Sequence, residues 1–196
     1  MTARRNIEFK ARLVDFAGAR QIAQELAKSR MGVEQQTDTY FVVPRGRLKL
    51  REIAGGGAWL IAYERADSPE LRNSDYRLIA VSDPAELKAA LAETLGVRVI
   101  VDKRREIFLH HNVRIHLDQV AGLGEFLEFE AVLGPGDSDS SGHAQVAGLR
   151  DAFQSALGEP MATSYSHLLL GKLLVDARRG AGYAPTGDAR VDPLAR

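Results

Sequence analysis

Residues 6–13 read NIEFKARL, in which polar or charged side chains alternate with apolar ones. Strict alternation predicts a β-strand, because successive side chains leave a strand on opposite faces. One face of this strand carries the carboxylate of Glu8 and the cations Lys10 and Arg12, and the other face is apolar. The pattern therefore predicts a sheet with a charged face that is enclosed and an apolar face that is covered by helices.

The same alternation recurs in several later segments. Their charged faces, together with that of residues 6–13, consist of Glu8, Lys10 and Arg12; Arg47, Lys49 and Arg51; Lys103 and Arg105; Arg114, His116 and Asp118; and Glu128 and Glu130. A two-sheet sandwich with its charges in water would explain one such strand. Recurrence favours a closed antiparallel β-barrel with a polar interior and helices outside, which also removes exposed sheet edges.

The remaining elements follow from local signals. Helices are predicted over residues 15–30, 83–96, 146–158 and 164–175, further strands over residues 37–43, 58–65 and 74–81, and a loop over residues 134–142. Gly55, Gly56 and Gly57 are interpreted as a hairpin turn and not as a phosphate loop, because no helical pattern follows them. A tail rich in Gly, Ala, Arg and Pro begins at Asp176 and is predicted to be disordered.

Composition excludes several classes of protein. The 196 residues suit one domain with a tail, and basic and acidic residues balance at 26 each, so no overall field favours nucleic acid or an acidic membrane. The chain contains no cysteine, which excludes disulfides and thiolate metal sites. Short apolar runs and a charged start indicate a cytoplasmic protein without a signal segment.

The enclosed charges indicate the kind of ligand. Isolated buried ions are costly, and the predicted interior holds more cations than carboxylates, so the excess requires an anion with several negative charges. A triphosphate meets that need, because Arg and Lys from several strands can bind its oxygens. Glu128 and Glu130, two residues apart on one face, are predicted with Asp118 to bind Mg²⁺ or Mn²⁺.

These motifs resemble those of the CYTH proteins, which include class IV adenylyl cyclases, thiamine triphosphatases and inorganic triphosphatases. The likeness covers residues 6–174 and is most specific over 113–130; residues 63–67, 75–76 and 165–166 look most like the cyclase branch. It implies an eight-stranded antiparallel tunnel that binds triphosphate and a divalent metal, in a domain of residues 1–175 followed by the tail 176–196. Whether the protein forms a homodimer is left open.

The resemblance also implies roles for residues. The expected triphosphate-binding residues are Lys10, Arg12, Arg47, Lys49, Arg51, Lys103, Arg105 and Arg114; the expected metal ligands are Glu8, Asp118, Glu128 and Glu130; and Glu8, Lys10 and Arg105 are expected to be catalytic. The implied reaction converts ATP to cyclic AMP and pyrophosphate. The alternatives are hydrolysis of inorganic or thiamine triphosphate, and a non-catalytic module that binds polyphosphate or a nucleotide.

One position departs from the family signature, which begins with Glu where this chain has Asn6. Asparagine still offers an oxygen to a metal or a water, but it carries no charge and cannot serve as a base. The number of metal ions, one or two, is therefore left open. His116 is interpreted as a structural imidazole hydrogen-bonded to a carboxylate.

Overall fold

The computed structural model describes residues 4–65 and 68–181. The strands are β1 (Arg4–Leu13), β2 (Ser29–Phe41), β3 (Arg47–Ile53), β4 (Ala58–Arg65), β5 (Arg72–Val81), β6 (Val97–His110), β7 (Val113–Val120), β8 (Gly124–Leu133) and β9 (Leu157–Pro160). The helices are α1 (Phe16–Leu26), α2 (Pro84–Leu95), α3 (Asp139–Ala152) and α4 (Tyr165–Ala181), with a 3₁₀ turn at Gln154–Ala156. Asp67 of the cyclase-like stretch and residues 182–196 of the predicted tail lie outside the described residues.

Eight strands form a closed antiparallel barrel, which confirms the predicted fold. Neighbouring strands pair in the order β5-β4-β3-β2-β6-β7-β8-β1, and β5 also pairs with β1 and closes the ring. The short strand β9 extends the sheet beside the far end of β1. Closure rules out the sandwich alternative.

The apolar parity of the strands faces outward and is covered by helices, as predicted. Phe9, Leu117 and Phe129 belong to one core cluster under α1 and α3. A second outer cluster, around Leu50, packs against α2. Phe126 has the same parity as Glu128 and Glu130, and its cluster packs inside, against Tyr165 at the start of α4. The charged parity is consequently left inside the barrel.

The boundary between the first helix and β2 is predicted wrongly because β2 pairs with a strand distant in sequence. The first helix ends at Leu26 and not at residue 30, since the Lys28 N–H donates to the Leu109 carbonyl and β2 begins beside β6. The predicted strand 37–43 therefore begins at Ser29, eight residues earlier.

The other errors lie near the C-terminus. Helix α3 starts at Asp139, where a loop was predicted, and Ser138 caps it by accepting a hydrogen bond from the Ser141 N–H. It ends at Ala152, and Gly158 lies in β9, where a Cβ atom would be 3.0 Å from Cγ1 of Val14. Helix α4 continues to Ala181, past the predicted start of the tail. No helix in the described ranges is both long and apolar enough to cross a membrane.

Candidate active site

The barrel encloses a cavity of about 330 Å³ that is lined by inward-facing residues of its strands and by the start of α4. Nine of the twelve predicted site residues line it: Glu8, Lys10, Lys49, Arg51, Lys103, Arg105, Arg114, Glu128 and Glu130. Five strands contribute to this set, so closure of the ring brings together residues up to 122 positions apart in sequence. The enclosed, charged interior predicted from the alternation is therefore present.

Asp38 holds three of the cations on one side of the cavity. Its carboxylate accepts hydrogen bonds from Lys49 Nζ at 2.9 Å, Arg51 Nε at 2.7 Å and Lys103 Nζ at 2.6 Å. Burial raises the pKa of Asp38, but the charges of Arg51, Lys103 and Lys49 outweigh it and hold the pKa well below its usual range. This arrangement, the Asp38 cluster, places three cations around one carboxylate.

The excess positive charge of the Asp38 cluster affects the pKa of Lys103. Burial lowers the pKa of this ammonium well below its usual value, and the nearby cations Arg51, Arg105 and Lys49 lower it further. Asp38 raises it, but by less than the other effects lower it. The negative charge of an anion bound here would offset the repulsion between the cations.

Arg105 is the centre of a second group, the Arg105 cluster, which also contains Asp118, Glu128, Lys10 and Tyr165. Arg105 donates to both oxygens of Asp118, at 2.6 and 2.5 Å, and to Glu128 Oε2 at 2.7 Å. Lys10 Nζ lies 2.9 Å from Glu128 Oε1. Burial raises the pKa of Glu128, but Lys10 and Arg105 outweigh it and bring the pKa well below its usual range, so the carboxylate is ionised.

A possible metal site adjoins the Arg105 cluster. Ligand atoms of His116, Glu128 and Glu130 all lie within 4.8 Å of one another, and His116 and Glu128 are buried. Two carboxylates and an imidazole suit Mn²⁺, and carboxylate oxygens suit Mg²⁺. The residues present therefore fit a divalent cation, and His116 lies beside the predicted ligands Glu128 and Glu130.

The cavity is close to electrically balanced. Among the described residues, the lining cations are Lys10, Lys49, Arg51, Lys103, Arg105 and Arg114, and the lining carboxylates are Glu8, Glu34, Asp38, Glu128 and Glu130. The surplus of cations is smaller than predicted, because Arg12 and Arg47 do not line the cavity and β2 contributes Glu34 and Asp38, which the predicted charged face did not include. A polyanion therefore competes with internal carboxylates for the cations.

Comparison with known proteins identifies the family. The model for the CYTH domain matches residues 4–149, about three quarters of the chain. The chain belongs to the CYTH domain family. No curated protein matches it by sequence.

Solved structures share this CYTH fold. PH1012 of Pyrococcus horikoshii OT3 is 26% identical, with a TM-score of 0.73, and the match covers 83% of this chain and 98% of that one. A Vibrio parahaemolyticus protein with the provisional name adenylate cyclase is 20% identical, with a TM-score of 0.66 and coverage of 84% and 97%. HpAC1 of Hippeastrum, a provisional adenylyl cyclase with a dominant triphosphatase activity, is 15% identical, with a TM-score of 0.59 and coverage of 92% and 98%.

Three predicted residues do not line the cavity of this CYTH barrel. Arg12 donates to the Leu123 carbonyl at 3.2 Å, and the Arg47 guanidinium lies 5.7 Å from the centre of the Tyr63 ring. Asp118 is fully buried behind Arg105, and the Tyr165 hydroxyl donates to it at 2.7 Å. Phosphate contacts by Arg12 and Arg47, and metal binding by Asp118, stay predictions.

Sequence reasoning missed cavity residues from β2 and α4. Asp38 lies in the predicted strand 37–43, and its parity, shared with Tyr40, could have placed it on the charged face. Tyr165 had no such signal, because its position depends on how α4 packs: its ring lies 4.9 Å from that of Phe126 and 3.8 Å from Lys10 Nζ. Burial, followed by the charges of Asp118 and Glu128, raises the pKa of Tyr165 well above its usual value, so its hydroxyl remains a donor.

Asn6, the departure from the CYTH signature, also lines the cavity. Its side chain is buried, and its Oδ1 accepts no hydrogen bond. A buried acceptor without a donor is costly, and a hydroxyl or water in the cavity would satisfy it.

Proposed function

We propose that the barrel binds a triphosphate with a divalent metal and breaks one of its P–O–P bonds. The observation that carries the proposal is the cluster of His116, Glu128 and Glu130 beside Lys10 and Arg105 in one enclosed cavity. A module that only binds anions gains nothing from carboxylates beside its ligand, since they repel it. A metal cluster next to cations is typical of phosphoryl chemistry, where positioning and neutralisation of charge supply most of the catalysis.

The cations of the cavity would bind the phosphate oxygens. Lys49, Arg51 and Lys103 are held in place by Asp38, and Lys10 and Arg105 by Glu128. Side chains fixed in this way lose little freedom when the substrate arrives, so the site is organised in advance. A Mg²⁺ or Mn²⁺ held by His116, Glu128 and Glu130 would neutralise charge on the phosphates.

The attacking hydroxyl would be oriented by Asn6 and deprotonated by Glu8. Both line the cavity, two residues apart on β1, and Glu8 lies directly across from Glu130 in the β1–β8 pairing. A water would donate one hydrogen to Asn6 Oδ1 and the other to the Glu8 carboxylate, which takes that proton. A ribose hydroxyl has a single hydrogen, so it would donate this to Glu8 and accept a hydrogen bond from the Asn6 Nδ2–H. This division of roles gives Asn6 a function that needs no charge.

We propose the class IV adenylyl cyclase reaction as the first candidate. The ribose 3′ oxygen attacks the α-phosphorus, its proton goes to Glu8, and the bond to the bridging oxygen breaks to release pyrophosphate. Hydrolysis is the second candidate, favoured by the free acceptor of Asn6, because a water has a second hydrogen to donate to it. Water then attacks the γ-phosphorus, and orthophosphate and a diphosphate are released.

The test is product analysis on purified protein with ATP, GTP, thiamine triphosphate and inorganic triphosphate, each with Mg²⁺ or Mn²⁺. Cyclic AMP with pyrophosphate identifies a cyclase, and orthophosphate identifies a triphosphatase. Triphosphate binding without turnover would contradict the proposal and leave a binding module.

Two variants of β8 test the metal site. Glu130→Gln keeps the size of the side chain and is expected to lower metal-dependent turnover by more than about 100-fold without unfolding the protein. Glu125→Gln is the matched control, because Glu125 lies on the opposite face of the same strand and accepts from Gln119. Full activity in Glu130→Gln would refute the assignment of the metal.

A further inference from the structure

One buried carboxylate of β6 lies outside the barrel cavity. Glu106 alternates with Arg105 and Ile107, which line the cavity, so its side chain leaves the strand on the outer face. That side chain is only 2% exposed, and no step of the proposed reaction uses it. A carboxylate buried this deeply is costly unless a cation compensates it.

Three arginines from three elements surround Glu106, which is more than compensation requires. Arg20 of α1 approaches the carboxylate with Nε at 3.0 Å, Arg30 of β2 with Nη2 at 3.5 Å, and Arg104 of β6 with Nη1 at 2.9 Å. We name these four residues the Glu106 cluster. One guanidinium would balance one carboxylate, so two positive charges of the cluster are left over.

The guanidiniums of the Glu106 cluster are accessible from solvent, although the carboxylate beneath them is not. The side chains of Arg20, Arg30 and Arg104 are 42%, 45% and 35% exposed. Apart from Glu106, the only acceptor that they reach among the described residues is Gln119 Oε1, which lies 3.3 Å from Arg104 Nη1. The cluster therefore holds several N–H donors near one another that are available to a ligand.

Attachment of α1 to the barrel does not explain the additional arginines. The helix is anchored by Ala19 and Ala23, which are fully buried in the core, and by Ile22 and Leu26, which pack against it. Asp15 caps its N-terminus. Like charges that are held together repel each other, so the surplus lowers stability unless a ligand offsets it.

We propose that the Glu106 cluster is a second anion-binding site, outside the barrel, for inorganic phosphate in its doubly charged form. A dianion would balance the two surplus charges. A guanidinium donates parallel hydrogen bonds to the oxygens of a phosphate, and a tetrahedral anion can share its oxygens among several such groups. A carboxylate such as acetate carries a single charge and should bind more weakly. Because the site is separate from the cavity, the inference does not rest on the proposed function.

NMR spectroscopy of the full chain tests the site, because each arginine gives its own Nε–Hε signal. The signals of Arg20, Arg30 and Arg104 are assigned from their loss in Arg20→Gln, Arg30→Gln and Arg104→Gln, and inorganic phosphate is then titrated at constant ionic strength. We expect these three signals to shift together and to saturate. The signal of Arg98, an exposed arginine of the same strand, should not shift.

A double variant tests the site while it keeps the buried charge of Glu106 compensated. Arg20→Gln combined with Arg30→Gln leaves Arg104 to pair with Glu106. The affinity for phosphate, read from the Arg104 signal, should fall by at least about tenfold, because two charge-assisted contacts are lost. Arg98→Gln is the matched control and should leave this affinity unchanged. Should the double variant fail to fold, Arg30→Gln alone should lower the affinity by about threefold.

Three outcomes would overturn the inference. Phosphate could shift only the signals of Arg51 and Arg105, which would place all binding in the cavity. Acetate could shift the signals of the Glu106 cluster as strongly as phosphate does, which would show a general response to anions. The affinity could also be unchanged in the double variant. Failure of the cavity to bind or cleave a triphosphate would refute the proposed function alone, because the two sites have separate signals.

Discussion

The Asp38 cluster is the interaction in this barrel whose loss should be easiest to measure. Asp38→Asn removes the charge and keeps the shape. Asp38 is 1% exposed, and its partners Lys49, Arg51 and Lys103 approach it within 2.6–2.9 Å. Removing one partner from a buried ion pair costs about 3–5 kcal/mol, because the remaining charge is left without compensation.

The lower end of this range applies here. Lys49 and Arg51 retain 11% and 18% of their side-chain exposure, toward a cavity that water can enter. We therefore expect a loss of about 3 kcal/mol in the free energy of unfolding at pH 7, which lowers Tm by about 6–12 °C in a chain of this size. Urea denaturation and calorimetry measure both quantities.

The pH dependence gives a second check. Because the pKa of Asp38 lies below its unfolded value, its contribution is complete above about pH 5 and declines as the pH falls below about 4, toward the folded pKa. The difference in the free energy of unfolding between the wild type and Asp38→Asn should shrink over that range. Asp75→Asn is the control, because Asp75 pairs with Arg5 at 2.8 Å where both side chains are about half exposed; its loss should not exceed about 1 kcal/mol. A loss below about 1 kcal/mol in Asp38→Asn would refute the reasoning.

Three further results are expected. When tripolyphosphate binds, Lys103 should take up a proton, because the anion raises the lowered pKa of this side chain. Calorimetry at pH 8 in two buffers of different ionisation enthalpy measures the proton uptake. Uptake that persists in Lys103→Arg would contradict this expectation. Tyr165→Phe removes the hydroxyl that donates to Asp118 and should cost about 2 kcal/mol in urea denaturation, whereas a loss under about 0.5 kcal/mol would show that the bond adds nothing. Gly57→Ala should displace the indole of Trp59 and shift its fluorescence, because a Cβ atom at position 57 would lie 2.8 Å from Cη2 of Trp59; unchanged spectra would mean that the turn accommodates the methyl group.

Parity and capping were sufficient to predict most of the architecture. Strands β1, β3, β7 and β8 each contain an alternating stretch, at residues 6–13, 47–51, 113–118 and 127–130, and alternation depends only on the strand itself. Helix α2 was predicted from Asp83, which accepts the Glu86 N–H, and from Gly96, which ends the helix with a φ of 78°. These signals are local, so a single sequence contains them.

Ion pairs inside the barrel could not be predicted in the same way. Lys49 and Arg51 lie 11 and 13 residues from Asp38, but Lys103 lies 65 residues away, on β6. Which cation reaches which carboxylate depends on the register of β2 against both neighbours, and no local signal in the sequence specifies that register. The surplus of positive charge was overestimated in part because Glu34 and Asp38 of β2 were not placed on the charged face.

The two charged clusters differ in how they can respond to a polyanion. In the Asp38 cluster three cations share one carboxylate, so positive charge remains available before any ligand binds. In the Arg105 cluster, Lys10 and Arg105 are matched by Glu128 and Asp118, and they become available to phosphates only when a cation draws charge from Glu128. Tripolyphosphate should therefore bind weakly through the Asp38 cluster alone and more tightly once Mg²⁺ or Mn²⁺ is present. The affinity for tripolyphosphate, measured at increasing concentrations of Mg²⁺ or Mn²⁺, tests this difference. An affinity that does not change with the metal concentration would show that a metal at Glu128 does not release Lys10 and Arg105.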